Sequence, residues 1–419
     1  MKWIHRKIAA ASIQYVLVVS IIILIVVSAF ISLIYLQKRI AQKNTLFKEA
    51  VHHTNLAFDY LNTTDIPYNT EMALSFSDYE FENTNIQRRH WGIFDIVMAK
   101  AMLRNEVFYK IGIVGSRNKK RSALYLQETN KPLVLVGDTK IKGNAFLPKK
   151  GVKTGNIAGT SYYGTSLIYG NSFESSTFLP TIHNSSHLAD FIETKNFENT
   201  EEFYLEEGLT KEQSFKNTTL VYQSNEGVFL QNISLKGNLI ISSDVSITVS
   251  PSAVLEDVIL MAPNIIILSN VKGSFQALAT ESIQVKKNCK LRYPSALVVI
   301  KKEVKNLNSE KKPEIEVLKD CQIDGVLVYK TAKKGFDYNV QVFIDKQTTI
   351  RGDVYCQKNI ELKGTIKGSV YAGVFIAKEF GSVYINHIYN GKIDSGALPN
   401  QFSGLFINSD KGTIAKWVY

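Results

Sequence analysis

A short pattern occurs twice in quick succession: Thr348–Tyr355 reads TTIRGDVY, and Gly364–Tyr371 reads GTIKGSVY. In both copies an Ile, a charged residue, a Gly, a variable residue, a Val and a Tyr follow one another, and Ile350 lies 16 residues before Ile366. Alternation of apolar and polar residues is typical of a strand with one buried face. A third copy, Thr139–Phe146, reads TKIKGNAF. The pattern therefore predicts repeated short strands.

Looser copies occur at Cys321–Leu327 (CQIDGVL) and Asn270–Phe275 (NVKGSF). Strands this short are unstable alone, but stacking each copy on the previous one buries the inward Ile and Val side chains in a continuous core. Turns of about 16 to 20 residues fit a parallel β-helix with three faces. The glycines are expected at the corners between strands. These corner residues are Gly143, Gly273, Gly325, Gly352 and Gly368.

An antiparallel sandwich is the alternative architecture. It requires hairpin dipeptides between strands, and only Asp324-Gly325 and Asn390-Gly391 qualify within the repeat region. The first of these lies inside a copy of the repeat. No long helical pattern separates the strands, which also argues against a βαβ sheet. The sequence thus favours a mainly β fold built on an interrupted parallel β-helix, or solenoid.

Residues 236–388 resemble bactofilins and related β-helix modules, whose turns carry similar Ile-x-Gly and Gly-x-Val spacing. The resemblance implies a fold rather than a function. Two segments, Lys301–Pro313 and Lys330–Asn339, interrupt the repeat.

The N-terminal region contains an uncharged stretch, Tyr15–Leu36, which reads YVLVVSIIILIVVSAFISLIYL. A helix of this length spans about 33 Å, enough for a hydrocarbon core of roughly 30 Å. A cleaved signal peptide is the alternative, but its apolar region is usually shorter, about 7–15 residues. The sequence therefore favours a retained membrane anchor. Its representative apolar residues are Tyr15, Val16, Leu24, Ile25, Phe30 and Leu36.

The helical pattern continues beyond the anchor. Apolar residues recur at spacings of three and four from Lys38 to Leu61, and no Pro or Gly occurs before Pro67. Residues 1–62 resemble the N-terminal region of PilX-type minor pilins, in which a basic tail, an apolar helix and a helical extension lead to a globular head. The resemblance implies pilin-like or envelope-assembly partners. A plain single-pass anchor with a juxtamembrane helix is the alternative.

Between the anchor and the repeats, a small α/β head is expected, with strands near Tyr79–Phe81 and Phe108–Val114 and a helix near Gly92–Arg104. The predicted organisation is a short basic tail (1–14), a transmembrane helix (15–36), a stalk helix (37–62), the head (63–130), the first β-helix turns (131–170), an insertion (171–235), the main β-helix (236–388) and a C-terminal cap (389–419).

The composition sets limits on partners. The chain has 419 residues, 45% apolar and 21% charged, with a net charge of +11. The charge permits acidic glycans, lipid headgroups or nucleic acid. The basic runs Arg117–Arg121, Ser309–Lys312 and Lys330–Lys334 lack interleaved aromatic residues, so no specific nucleic-acid signal is present. Solvated loops are the favoured interpretation of these runs.

No cofactor or metal site is expected. The three cysteines, Cys289, Cys321 and Cys356, are too few for a disulfide-stapled scaffold and are expected as buried thiols, with a Cys289–Cys321 disulfide as the alternative. His183 and His187 are four residues apart but lack flanking carboxylate order.

Charged residues recur at corresponding positions of the repeat copies. Asp324, Arg351, Asp353 and Lys367 could form a row on one face and serve as a glycan site. A solvated row of alternating charge is the favoured interpretation, since no histidine accompanies the set.

Three functions follow, in this order. The first is a non-catalytic membrane-anchored component of a pilus-like or cell-envelope assembly, with the β-helix exported from a bacterial inner membrane as scaffold or tip. The second is an adhesin-like module that binds a polyanion or glycan. The third is a polysaccharide-active β-helix enzyme.

Overall fold

The computed structural model describes residues 4–76, 82–118, 120–183, 185–197, 200–301, 312–332, 335, 337–409 and 411–418. The chain divides into two compact units. The N-terminal unit comprises Met1–Asp59, Met72–Ile86 and Ala99–Tyr109, and the C-terminal unit comprises Tyr60–Glu71, Gln87–Met98 and Lys110–Tyr419. The fold is mainly β, with one long N-terminal apolar helix.

The α-helices are α1 (Ile4–Leu61) and α2 (Ser185–Thr194), and a short 3-10 helix covers Ser395–Ala397. The strands are β1 (Glu71–Leu74), β2 (Glu82–Trp91), β3 (Phe94–Leu103), β4 (Glu106–Gly115), β5 (Leu124–Leu126), β6 (Leu133–Val136), β7 (Lys140–Lys142), β8 (Ala145–Leu147), β9 (Val152–Thr154), β10 (Asn156–Ile157), β11 (Thr160–Ser161), β12 (Ser172–Glu174), β13 (Thr200–Glu202), β14 (Thr210–Gln213), β15 (Thr219–Ser224), β16 (Val228–Leu230), β17 (Ser234–Gly237), β18 (Leu239–Ser243), β19 (Ser246–Val249), β20 (Val254–Ile267), β21 (Lys272–Val285), β22 (Lys290–Lys301), β23 (Ile315–Val317), β24 (Gln322–Thr331), β25 (Val342–Ile344), β26 (Thr349–Leu362), β27 (Thr365–Glu379), β28 (Ser382–Ile385), β29 (His387–Tyr389), β30 (Lys392–Asp394) and β31 (Thr413–Val418).

Helix α1 joins the predicted membrane span and stalk in one uninterrupted element. Its 58 residues extend about 87 Å at 1.5 Å per residue. By length and composition it can cross a membrane, with a mean hydropathy of 3.2 over its most apolar window. The helix ends with hydrogen bonds from the backbone amides of Thr63 and Thr64 to the carbonyl of Tyr60, at 3.1 and 2.9 Å.

Within the N-terminal unit, the later part of α1 packs on strand residues. Ala50 is buried with Ala101 and Leu103, and Phe47 meets Phe108 edge-on with ring centroids 5.5 Å apart. The apolar side chains from Ile13 to Ile40 are, by contrast, largely exposed. The part of α1 from Ala50 to Phe58 therefore has buried side chains, and its apolar N-terminal part is not covered by the described protein.

The C-terminal unit is built on a parallel sheet that closes on itself. Strand β20 pairs with β21 in parallel, so that Ile265 lies beside Ile283, and Ile283 in turn lies beside Ile315 of β23. Val342 and Ile360 continue this row. All of these side chains are buried in one core. The row explains why the repeat alternates, since only inward positions must be apolar.

A second row decides the glycine positions. Gly325, Gly352 and Gly368 lie side by side on β24, β26 and β27. Gly352 has a φ of +148°, and a Cβ there would lie 1.7 Å from the carbonyl oxygen of Gly325. Gly143, with a φ of +116°, likewise follows the inward Ile141 by two residues. In β24, β26 and β27 the glycines therefore bend continuous strands where the neighbouring backbone approaches too closely for a side chain, whereas a Cβ at Gly143 would meet the side chain of Ser395.

The expectation that Gly273 is a corner residue is wrong. Gly273 pairs with Leu255 and Leu291, and Leu291 pairs with Ile323, which places Gly273 in the row of inward apolar residues. The pairing is regular up to Gly273 and becomes irregular only after it, before Gln276. In a loose copy of the repeat, the sequence does not show whether a glycine lies at the corner or two residues before it.

The order of strands in space also differs from the order expected. Residues 131–170 were expected to form the first turns, yet β27 pairs with β5 and β5 pairs with β8. Stacked rings follow the same order, from Tyr355 through Tyr371, Tyr125 and Phe146 to Phe173. The early segment thus extends the sheet beyond β27, because sequence similarity between copies carries no information on which copies are neighbours.

The predicted insertion at 171–235 also contains sheet strands. Strand β13 pairs with β15, and β14 pairs with β17, all in parallel. The boundary at 236 is therefore wrong. Strands β13 and β14 read TEE and TKEQ and are mostly exposed, so their composition carries no apolar alternation. The interruptions predicted at Lys301–Pro313 and Lys330–Asn339 fall partly outside the described residues, and β22–β24 and β24–β26 stay paired on either side.

The head expected at 63–130 is built from strands, and within its described residues no helix occurs beyond the C-terminal end of α1. The helix predicted near Gly92–Arg104 is wrong, since strand β3 occupies Phe94–Leu103. Its apolar residues are buried on both faces, a pattern that short helices and strands share. The strand predicted at Phe108–Val114 is confirmed as β4, while Tyr79–Phe81 lies outside the described residues. A five-stranded sheet has the order β1-β2-β3-β4-β31.

The segment expected as a C-terminal cap contributes to two sheets. Strand β30 pairs with β27 and β7, and β31 runs antiparallel to β4, with Val418 beside Ile111.

Candidate functional site

The predicted charged row is present for three of its four members. Asp324 pairs with Arg351, and Arg351 pairs with Lys367 on the next strand. The guanidinium of Arg351 donates from Nε to Oδ1 and from Nη2 to Oδ2 of Asp324, both at 2.6 Å. This ion pair holds the pKa of Arg351 above its ordinary value. The carboxylate of Asp324 is thus already bound by a neighbouring base.

Asp353 lies apart from this row. Its side chain is 8% exposed, and its Oδ2 accepts a hydrogen bond from the amide of Leu405 at 3.1 Å. Burial raises the pKa of Asp353, and the nearby Arg121 and the Leu405 amide oppose that rise. The expectation that Asp353 joins the row is wrong, because the bend at Gly352 directs it toward the segment that ends in β31.

The three cysteines are buried free thiols. Cys289 donates to the carbonyl of Leu268 and Cys321 donates to the carbonyl of Lys286, each at 3.0 Å. The adjacent Cys321 side chain and burial raise the pKa of Cys289, and burial raises that of Cys356. They act as small apolar core residues.

The basic runs do not form one surface. Lys330 is half-buried and donates to the hydroxyl of Ser185, and burial lowers its pKa. Arg121 donates to the carbonyls of Pro399 and Phe402 at 3.4 and 3.2 Å. Lys119, Ser309 to Lys311, Lys333 and Lys334 lie outside the described residues.

A buried charged network in the C-terminal unit was not anticipated. Arg88 is fully buried, and its Nε donates to Oδ2 of Asp95 at 2.9 Å. The hydroxyl of Tyr68 donates to the same oxygen at 2.9 Å, and Nδ1 of His90 lies 3.2 Å from Oδ1. The Arg88 guanidinium also covers the Tyr68 ring, 4.5 Å from its centroid. The carboxylate of Asp95 is thus contacted by three side chains, and its contact with Nδ1 fixes the orientation of the His90 ring.

Two imidazoles stack at the edge of this network. The His187 ring, on α2, lies 3.8 Å from the His90 ring, which itself stacks on Tyr68 at 3.9 Å. Burial and then the charge of His90 lower the pKa of His187, and Asp190 and Asp95 oppose this. The expected pair His183 and His187 is not brought together as a site; His187 instead pairs with a histidine about a hundred residues earlier.

A cavity of about 350 Å³ opens beside the two histidines. Arg89, His90 and Trp91 at the end of β2 line one side, and α2 lines the other. Because side chains alternate along a strand, Arg88 points into the network while Arg89 points away from it. The signal in the sequence was the run Arg88-Arg89-His90-Trp91, which places two arginines and a histidine next to one another before an aromatic residue. Among the described residues, no group of three or more His, Cys, Asp or Glu could hold a metal ion.

No protein-family model, curated protein or solved structure matches this chain.

Proposed function

We propose that this chain is a single-pass membrane protein that presents an interrupted parallel β-helix as a non-catalytic scaffold or tip in a pilus-like or other cell-envelope assembly. The membrane is taken to be a bacterial inner membrane, with residues 1–14 inside and the β region exported.

The observation that carries the proposal is the uncovered apolar surface of α1. Leu24 is 68% exposed and Phe30 is 61% exposed, and the most apolar window has no buried residue. Burying each such side chain stabilises by about 1.5–3 kcal/mol, so a surface of this extent favours lipid or partner helices over water.

The β-helix interpretation is supported by parallel pairing along one row of buried residues. Ile247 lies beside Ile265 and Ile265 beside Ile283, 18 residues apart in each case, while the next step, from Ile283 to Ile315, takes 32 residues. Successive parallel pairing of this kind is what winding around one axis produces. The bactofilin-like and PilX-like features of the sequence remain part of this proposal.

Membrane sidedness is tested by protease treatment of intact cells and spheroplasts that carry a C-terminally tagged chain. We expect the β region to be digested in spheroplasts while the N-terminal tail stays protected. Protection of the tag in spheroplasts would place the β region inside and contradict export.

Assembly is tested with a photo-crosslinking residue at Ile40, which is 50% exposed on α1 beyond the predicted span. The matched control carries the same residue at Val245, which is 51% exposed in the C-terminal unit. We expect discrete crosslinks to other membrane-anchored chains from Ile40 and none from Val245. Equal crosslinking from both sites, or none from Ile40, would contradict the assembly role while leaving the membrane anchor intact.

The enzyme alternative ranks last, because Asp353 is buried against backbone and Asp324 is paired with Arg351. Binding of a polyanion by Lys330 ranks second, since that lysine is already bound to Ser185.

A further inference from the structure

The cavity beside His90 and His187 has the features of a small-molecule site. Its volume of about 350 Å³ lies at the lower end of the range for ligand pockets. A second cleft of about 430 Å³ adjoins it, and the two share Asn69, Arg89 and Thr219. Arg89 therefore stands between two open spaces.

Arg89 has more hydrogen-bonding capacity than the protein uses. Its Nη2 donates to the carbonyl of Phe215 at 3.1 Å. Burial lowers its pKa, and no charged neighbour opposes this effect. Within the described ranges, no carboxylate lies within salt-bridge distance of this side chain. A guanidinium has five N–H donors in a planar fork that matches a carboxylate, so a bound anion would satisfy donors that burial leaves poorly hydrated.

The remaining lining favours a hydroxyl-rich ring. Phe191 and Phe197 meet edge-on at 5.8 Å and remain partly exposed at the cavity. Thr194, Thr200 and Asn196 add hydroxyl and amide groups nearby. Apolar ring faces beside small polar groups suit a sugar, which offers C–H bonds on its faces and hydroxyls at its edge.

The charge balance favours a single negative charge over a phosphate dianion. Among the described residues, Arg89 is the one permanent cation that lines the first cavity, and the exposed Asp190 also lines it. A dianion would face this carboxylate with only one guanidinium to compensate, whereas a monoanion is matched by Arg89 and leaves Asp190 to accept a sugar hydroxyl.

We propose that this cavity binds an acidic sugar of the uronic-acid class, with the carboxylate on Arg89 and the ring against Phe191 and Phe197. The inference is independent of the scaffold role, because a protein that assembles without ligand would still have this site, and a ligand-binding protein need not assemble.

The test is calorimetric titration of the full-length protein in detergent micelles with galacturonate and with galactose. The two sugars differ only in a carboxylate in place of a hydroxymethyl group. We expect galacturonate to bind at least tenfold more tightly. Equal affinities, or no binding of galacturonate at millimolar concentration, would overturn the proposal. Competition by inorganic phosphate at equal concentration would also overturn it, since that would indicate a general anion site.

Variants assign the effect to Arg89. Arg89→Gln should reduce galacturonate affinity at least tenfold and remove its advantage over galactose, and Arg89→Lys should fall between. The control Arg292→Gln removes the same charge from an exposed position of β22 outside the cavity and should bind as the parent does. Thermal unfolding followed by circular dichroism establishes folding of each variant; if Arg89→Gln does not fold, the comparison of the two sugars on the unaltered protein still decides the proposal.

Discussion

Arg351 binds Asp324 through two parallel hydrogen bonds of 2.6 Å across neighbouring strands. The pair is open to solvent, since the side chains are 42% and 19% exposed. Solvent-exposed ion pairs contribute little, typically about 0.2–1 kcal/mol. The bidentate geometry therefore aligns the strands more than it stabilises them.

For this pair we expect Arg351→Gln to lower the free energy of unfolding by less than about 1 kcal/mol, with the effect shrinking at high salt. Urea titration at low and high ionic strength measures it. Lys367→Gln, next in the same row, is the control and should change stability less. If Arg351→Gln instead lowered the free energy of unfolding by several kcal/mol, the charged row would be a main contributor to stability.

The buried pair of Arg88 and Asp95 should behave differently. Asp95→Asn removes the charge that neutralises a fully buried guanidinium, which typically costs about 3–5 kcal/mol. Asp65 contacts the same guanidinium at 3.4 Å, but its side chain is 57% exposed, so Asp65→Asn should cost less than about 1 kcal/mol. Denaturant unfolding of both variants gives the comparison. Similar losses for the two would mean that Arg88 does not depend on Asp95.

Gly352→Ala tests the glycine row. The added Cβ would lie 1.7 Å from the Gly325 carbonyl oxygen, and the φ of +148° disfavours any side chain. Strain and overpacking together should lower stability by about 2–5 kcal/mol. At Gly396 the nearest atom would be 3.5 Å away, so Gly396→Ala should change stability by less than about 1 kcal/mol. Thermal unfolding distinguishes the two, and equal melting temperatures would refute the close approach.

These glycines illustrate what the sequence alone could predict. The motif around Gly325, Gly352 and Gly368 determined both the strand character and the parallel register, because close spacing and near-identity leave one alignment. The prediction for Gly273 was wrong because its loose copy can be aligned two residues away from the true register, in which Gly273 pairs with Leu291. The neighbours of Phe146 were not predictable, because pairing between distant copies depends on complementary edges rather than on spacing.

The cavity was missed for a related reason. Its histidines, His90 and His187, lie on separate elements, and only the tertiary fold stacks them. Sequence spacing associates His187 only with His183, and nothing in the sequence links His90 to either of them. The pairing of Asp324, Arg351 and Lys367 was predictable because these residues occupy the same position in successive copies of the repeat. The prediction was wrong for Asp353, which lies beyond the bend at the glycine of its own copy.

Asp353 gives a prediction on pH. Burial raises its pKa in the folded state, so the protonated form is favoured by folding. This contribution is complete below the unfolded pKa and is lost as pH rises through the folded value. Relative to the parent, Asp353→Asn should therefore become progressively more stable as the pH rises from about 4 to 7.

The matched control for this effect has the opposite sign. Lys416 lowers the pKa of Glu256, so ionised Glu256 favours folding above the unfolded pKa. Relative to the parent, Glu256→Gln should lose stability as the pH rises toward the unfolded pKa of about 4.3, and the difference should change little above about pH 5. Urea unfolding at several pH values measures both differences. A difference for Asp353→Asn that is constant with pH would mean that this carboxyl has the same proton affinity in the folded and unfolded chain.

The thiols test the core of the repeat and its redox state together. Cys289, Cys321 and Cys356 are buried, which shields them from reagents, and the pKa values of Cys289 and Cys356 are raised, so these two stay protonated in the folded protein. Without reductant, a thiol reagent such as Ellman's should modify the folded chain far more slowly than the urea-unfolded chain. After unfolding, all three cysteines should react. Reaction of a single thiol per unfolded chain would instead identify a Cys289–Cys321 disulfide, and fast reaction of the folded chain would mean that the stacked strands open readily.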